Sequence, residues 1–172
     1  MSNRRRIWMW VAGAALVAGG LYWMFVIRPW RLADYVRFQM EHLTWAIMCY
    51  MEYHDGSMPP SLASLTTSGI VQRLPDGTYV FTDKRCTYGD SSSSFHFDPE
   101  LFVVKWGADP LGNADLLIQS KQNAETFAAK ARSCTDYIRW VASHVRERSQ
   151  QREEQESPAS QQDIGPAPTQ RR

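Results

Sequence analysis

The chain has 172 residues and a formal net charge of +1, so no bulk field draws it to nucleic acid. Setting aside an apolar start and a polar end leaves roughly 115 residues, enough for one domain with one modest core. Its three cysteines, Cys49, Cys86 and Cys134, show no Cys-x-x-Cys spacing of the kind that holds zinc.

The chain opens on a short basic end, residues 1–6, with Arg4, Arg5 and Arg6. No charge then occurs from Ile7 to Ile27. A helix needs ~20 apolar residues to cross a bilayer core, so this stretch is expected to be a transmembrane helix. Trp8, Trp10, Trp23 and Trp30 fall at its two ends, as an aromatic belt would. The denser positive charge before it favours a cytoplasmic N-terminus and an extracytoplasmic domain. A cleaved signal peptide would need a small-residue site such as Ala18-Gly19-Gly20, yet the apolar run continues unbroken through Leu21–Ile27. The expected location is the inner (cytoplasmic) membrane, single-pass, with an uncleaved anchor.

Pro29 removes one backbone donor just past the span and is expected to bend the helix rather than end it. Beyond it, Leu32, Tyr35, Val36, Met40, Leu43, Ile47, Tyr50 and Met51 recur in steps of three and four. That spacing predicts one apolar face of a spine helix. The helix is expected to stop at His54-Asp55-Gly56, with Gly56 in the left-handed conformation. Pro59-Pro60 forces an extended turn, and Ser61 is placed to cap a short helix, Leu62–Ser68. Pro75-Asp76-Gly77 marks a turn. Strands are expected at Thr78–Thr82, Phe95–Phe97, Leu101–Trp106 and Leu116–Gln119. Asp98-Pro99-Glu100 would join the second and third as a tight hairpin or bulge, and Cys86–Ser94 reads as a loop.

A second helix is predicted over about Asn123–Arg148, with Phe127, Ala131, Cys134, Ile138, Val141 and Val145 as a narrow stripe. Residues 149–172 are Gln, Glu, Arg, Ser and Pro with hardly an aliphatic residue. Such a tail cannot bury enough surface to offset its ordering entropy and is expected to be disordered. The fold class is therefore α+β: a transmembrane helix over 7–27, continuing into a spine helix on a small antiparallel sheet. The extracytoplasmic domain covers residues 30–148 and includes the additional C-terminal helix.

Two motifs carry a resemblance. Tyr50-x-x-x-x-Asp55-Gly56-x-x-Pro59-x-Ser61-Leu62-x-x-Leu65 follows a long N-terminal helix, and Trp106-Gly107-Ala108-Asp109-Pro110-Leu111-Gly112-Asn113-Ala114-Asp115-Leu116 follows a strand. Together, over roughly residues 32–120, they resemble the type II secretion pseudopilins and type IV pilin-like proteins. The second resembles the calcium-binding loop of the major pseudopilin. The chain departs from that family in having no prepilin leader site and no Glu within the apolar helix. The resemblance thus implies a pilin-like fold on an uncleaved anchor.

Asp109 and Asp115 flank Gly112 and, with backbone carbonyls and water, are the candidate calcium ligands. Calcium wants six to eight oxygens, and the alternative for this loop is a solvated turn. Cys86 and Cys134 are the candidate disulfide, against all three cysteines being reduced. His42, His54, His96 and His144 lie on different elements without metal-ligand spacing and are expected to be structural or solvated. Ser91–Ser94 is a serine run without a nucleophile elbow. No phosphate loop or dinucleotide fingerprint occurs, and no catalytic residue is assigned: the chain is read as a non-enzyme. The expected role is a membrane-anchored structural or interaction protein, with other pilin-like or secretion-system proteins as partners and no nucleic acid. The alternative is an extracytoplasmic binding module unrelated to secretion.

Overall fold

The computed structural model describes residues 3–83, 96–122 and 124–156, with side-chain surroundings from residue 8 onward. It divides into two compact units, Met1–Gln39 and Met40–Arg172. Mixed helix and small antiparallel sheets make up the fold, with a long apolar helix at the N-terminus and another helix at the C-terminal end.

Helix α1 runs Asn3–Tyr22, followed by a π-helical turn over Trp23–Ile27 and then α2, Arg28–Tyr53. The π turn has a cause in the sequence. Pro29 has no N–H, and in a regular helix its ring would crowd the carbonyl four residues back. The Arg28 N–H instead reaches Trp23 O, five residues back, so the chain takes one wide turn and resumes as α-helix. The helix is therefore not ended by Pro29, as the sequence predicts. Among the described residues this is one helix long and apolar enough to cross a membrane. Its early side chains are uncovered: Trp10 is 80% exposed, Leu16 79% and Phe25 70%.

The expected spine stripe holds only in part. Leu32 and Tyr35 are exposed, whereas Val36, Met40, Leu43, Ile47 and Met51 are buried. Tyr50 of the stripe is buried too, and further on the helix is buried all round rather than along one face, since Ala46, Met48 and Cys49 are covered as well. An all-round covered helix must satisfy its polar groups itself. Thr44 does so by donating its hydroxyl to Met40 O at 2.8 Å.

At the end of α2, Gly56 N–H returns to Met51 O at 2.9 Å. Both Asp55 (φ 50°) and Gly56 (φ 73°) are left-handed, so the cap begins one residue before the expected glycine. A Cβ on Gly56 would lie 2.9 Å from the carbonyl oxygen of Ala142, which marks a close backbone approach. Helix α3, Leu62–Thr67, starts at Ser61. The Ser61 hydroxyl meets that of Ser64 at 3.1 Å instead of capping a backbone N–H. The helix ends in a paired return, Gly69 N–H to Thr66 O and Ile70 N–H to Leu65 O.

Strand β1, Val71–Arg73, was not expected from the sequence; it pairs antiparallel with β2, Tyr79–Phe81, and β2 pairs with β3, His96–Phe97. Asp76 shapes the β1–β2 turn by accepting from both Thr78 N and Thr78 Oγ1. The Tyr79 and Phe97 rings stack at 5.7 Å. Strands β4, Phe102–Val104, and β5, Ile118–Ser120, form a second, separate antiparallel pair. The single sheet of the sequence reading is thus corrected to two. A 3-10 turn at Pro99–Leu101, capped by the Asp98 carboxylate on Glu100 N–H, separates β3 from β4 where a hairpin or bulge was expected.

Helix α4 spans Ala128–Glu156. It begins later than Asn123 and continues through residues 149–156, a stretch expected to be disordered. Gln, Glu and Arg are good helix formers, and polarity alone does not end a helix already anchored by its buried stripe. That stripe is Ala131, Cys134, Ile138, Val141, Ala142 and Val145. Residues 157–172, the Cys86–Ser94 loop, Phe95 and Asn123 lie outside the described residues.

Candidate functional site

The loop between β4 and β5 is the place where the sequence concentrates its candidate ligands. Gly107, at φ 68°, donates to Pro59 O at 2.9 Å, seating the loop's start on the segment after α2. Asp109 then makes a local turn: its Oδ1 accepts from Leu111 N–H at 3.3 Å, and its carbonyl from Gly112 N–H at 3.1 Å.

Lys105 N–H closes the loop on Leu117 O at 2.9 Å, and α4 supplies further ties. Thr135 Oγ1 accepts the Leu117 N–H at 3.0 Å in a buried hydrogen bond. Arg139 donates Nε to Pro110 O at 3.3 Å and Nη2 to Ala114 O. Arg146 Nη2 donates to Asp109 Oδ1 at 2.9 Å. Positions 135, 139 and 146 lie four and seven apart, so one face of α4 holds the loop at both ends and the middle. The Arg146 hydrogen bond, with the Leu111 N–H, holds the Asp109 carboxyl below its ordinary range.

This arrangement bears on the calcium expectation. The cation that the structure gives Asp109 is a guanidinium. Asp115 is exposed. Among the described residues no three His, Cys, Asp or Glu side chains gather as a metal-binding group. Of the two expected ligands, Asp109 is thus engaged by Arg146 and Asp115 stands exposed on the same loop. The resulting object is an arginine-tied loop.

Cys49 and Cys134 are buried, and Cys86, the other half of the expected Cys86–Cys134 disulfide, lies outside the described residues. Burial pushes the Cys134 thiol up, partly opposed by a hydrogen bond with Thr44. The histidines are placed separately. Ring nitrogens of His42, His54 and His144 lie 3.0, 2.8 and 3.1 Å from the carbonyl oxygens of His96, Tyr50 and Trp140. Burial lowers the His42 pKa, with the carbonyl contact opposing it.

The outward face of α4 carries a feature that the sequence reading passed over. A shallow groove of about 720 Å³ is lined by Ala129, Arg132, Ser133, Asp136, Tyr137 and Trp140. These positions recur in steps of three and one, opposite the buried stripe, so a second helical period was there to be read. Tyr137 is 59% exposed and Trp140 51%. A smaller cleft of about 300 Å³ lies where Glu52 and Asp55 face Arg148, Ser149 and Arg152. Within it Arg148 pairs with Glu52 at 3.7 Å, and the Ser149 hydroxyl donates to Asp55 at 3.2 Å.

No protein-family model matches the chain, and no curated protein or solved structure does either.

Proposed function

We propose that this chain is a membrane-anchored structural or interaction protein with a pilin-like extracytoplasmic domain, acting as an accessory of a secretion or pilus system. In this reading the anchor is the uncleaved Ile7–Ile27 segment of the inner membrane, the N-terminus is cytoplasmic, and the domain carries no catalytic centre. One observation carries it. A single helical run, broken only by the π turn, is uncovered and apolar at its start and covered on all sides near its end. An apolar exterior is stable in lipid, and a fully covered helix is the centre of a folded domain. The Tyr50…Leu65 and Trp106…Leu116 motifs give the secretion part of the reading, and they do so by resemblance alone.

A photo-crosslinker placed at exposed positions of the domain in native membranes tests this reading. Capture of secretion-machine or pilin-like neighbours supports the accessory role. Capture of unrelated partners alone replaces it with the second reading, a tethered binding module, which the α4 groove favours.

A further inference from the structure

Just past the apolar run stand two cations whose charge no described residue balances. Arg28 and Arg31 are both exposed. Asp34 pairs with Arg37 at 3.7 Å rather than with Arg31, which is equally three residues away. Arg28 lies one residue beyond Ile27 and Arg31 four, or ~1.5 and ~6 Å along the helix. The headgroup layer on each side of a bilayer is about 5–7 Å deep, so both positions fall within it when Ile7–Ile27 spans. Helical side chains also lean toward the N-terminus, which here is toward the lipid.

The π turn decides which way these arginines face. In an unbroken α-helix each residue advances about 100°, which would set Arg28, Arg31 and Tyr35 about 140°, 80° and 120° around from Trp23. The Arg28 N–H instead bonds Trp23 O, so the turn takes in one extra residue. Everything beyond it is set back by about 100°, and Arg28, Arg31 and Tyr35 all come within about 40° of Trp23. One face thus carries, rising from the apolar run, an indole, two guanidiniums and a phenol, with Trp23 54% and Tyr35 52% exposed. Guanidiniums match phosphate with paired planar donors, and Trp and Tyr rings favour headgroup level. A zwitterionic headgroup brings a cation of its own beside the phosphate, so the unbalanced pair selects headgroups of net negative charge. In a bilayer the neighbouring headgroups close the remaining sides, so one helix face is enough.

On the reading that Ile7–Ile27 spans the membrane, we propose that Trp23, Arg28, Arg31 and Tyr35 form a site for an anionic phospholipid of the leaflet next to Ile27. Its phosphate lies between the two guanidiniums, and the π turn that Pro29 imposes aligns them with the aromatic rings.

The test reconstitutes the full chain in phosphatidylcholine bilayers. Electron paramagnetic resonance then compares how strongly the protein holds spin-labelled phosphatidylglycerol and spin-labelled phosphatidylcholine. A basic residue at the surface is worth roughly fivefold in anionic-lipid affinity, so Arg28→Gln/Arg31→Gln should lower the preference for phosphatidylglycerol by about fivefold or more. Pro29→Ala keeps both charges at their depth but lets the helix run on as α, and it should lower the preference comparably. A preference unchanged in either variant overturns the proposal. So does one that millimolar inorganic phosphate removes at constant ionic strength, since the anion held would then be free phosphate. No preference in a chain that stays with carbonate-washed bilayers overturns this proposal alone, whereas a chain that leaves them overturns the spanning reading as well.

Discussion

Gly56→Ala probes a close backbone approach between the end of α2 and α4. The substitution has two costs. At φ 73° an added Cβ is disfavoured by ~1–2 kcal/mol. The same Cβ would stand 2.9 Å from Ala142 O and 3.4 Å from Ala142 Cα, both backbone atoms that cannot rotate away. Forcing α4 outward is overpacking, which costs typically ~1–3 kcal/mol more. Gly69 supplies the control. It has a similar φ of 74° and nothing within 4 Å of its ideal Cβ. Gly69→Ala therefore carries the conformational cost alone, and the gain from a stiffer unfolded chain, ~0.4–1 kcal/mol, is common to both. Urea unfolding of the full chain in micelles, followed by near-ultraviolet circular dichroism, should place Gly56→Ala about 1–3 kcal/mol below Gly69→Ala. Equal destabilisation would refute the packing of α4 against the end of α2.

Leu43→Ala should cost ~2–5 kcal/mol, because the side chain is wholly buried. Val103→Ala should stay within about 0.5 kcal/mol, since Val103 is 52% exposed. Thr135→Val should cost ~1–3 kcal/mol by leaving the buried Leu117 N–H without its acceptor, read in the same unfolding assay. The Asp109 carboxyl, held low chiefly by Arg146, contributes stability that is present above the ordinary carboxylate pKa and lost as pH falls through the depressed value. Arg146→Ala should raise that carboxyl's titration midpoint in a carbon-detected NMR experiment, and millimolar calcium should leave wild-type unfolding unchanged. A calcium-dependent rise in stability would restore the metal loop.

The parts of the fold that were legible in the sequence are those whose cause is local. The run from Met40 to Met51 has a 3.6-residue period, Pro75-Asp76-Gly77 dictates a turn, and Pro29 forces the backbone to adjust. What was not legible depends on partners. Met48 sits off the main stripe, and only the surrounding elements decide that it is covered too. Strands of two or three residues, such as β1 and β3, are too short to reveal which neighbour they pair with, so two sheets read as one. The candidate ligand Asp109 stood out by residue type and by Gly112 between it and Asp115. Its partner, Arg146, is 37 positions away on a helix whose arginines look like an ordinary solvated face.

The proposed role requires an anchored chain with its domain outside the cytoplasm. Its most direct test is labelling of intact cells with a membrane-impermeant thiol reagent, comparing Ser149→Cys with Ser2→Cys in protein recovered from carbonate-washed membranes. Burial shields Cys134 and Cys49 from the reagent, and the parent chain supplies the background. Labelling above that background at position 149 in intact cells, and at position 2 only after lysis, is the expected result. The opposite pattern, or a protein that leaves the membrane with carbonate or lacks position 2, would contradict it.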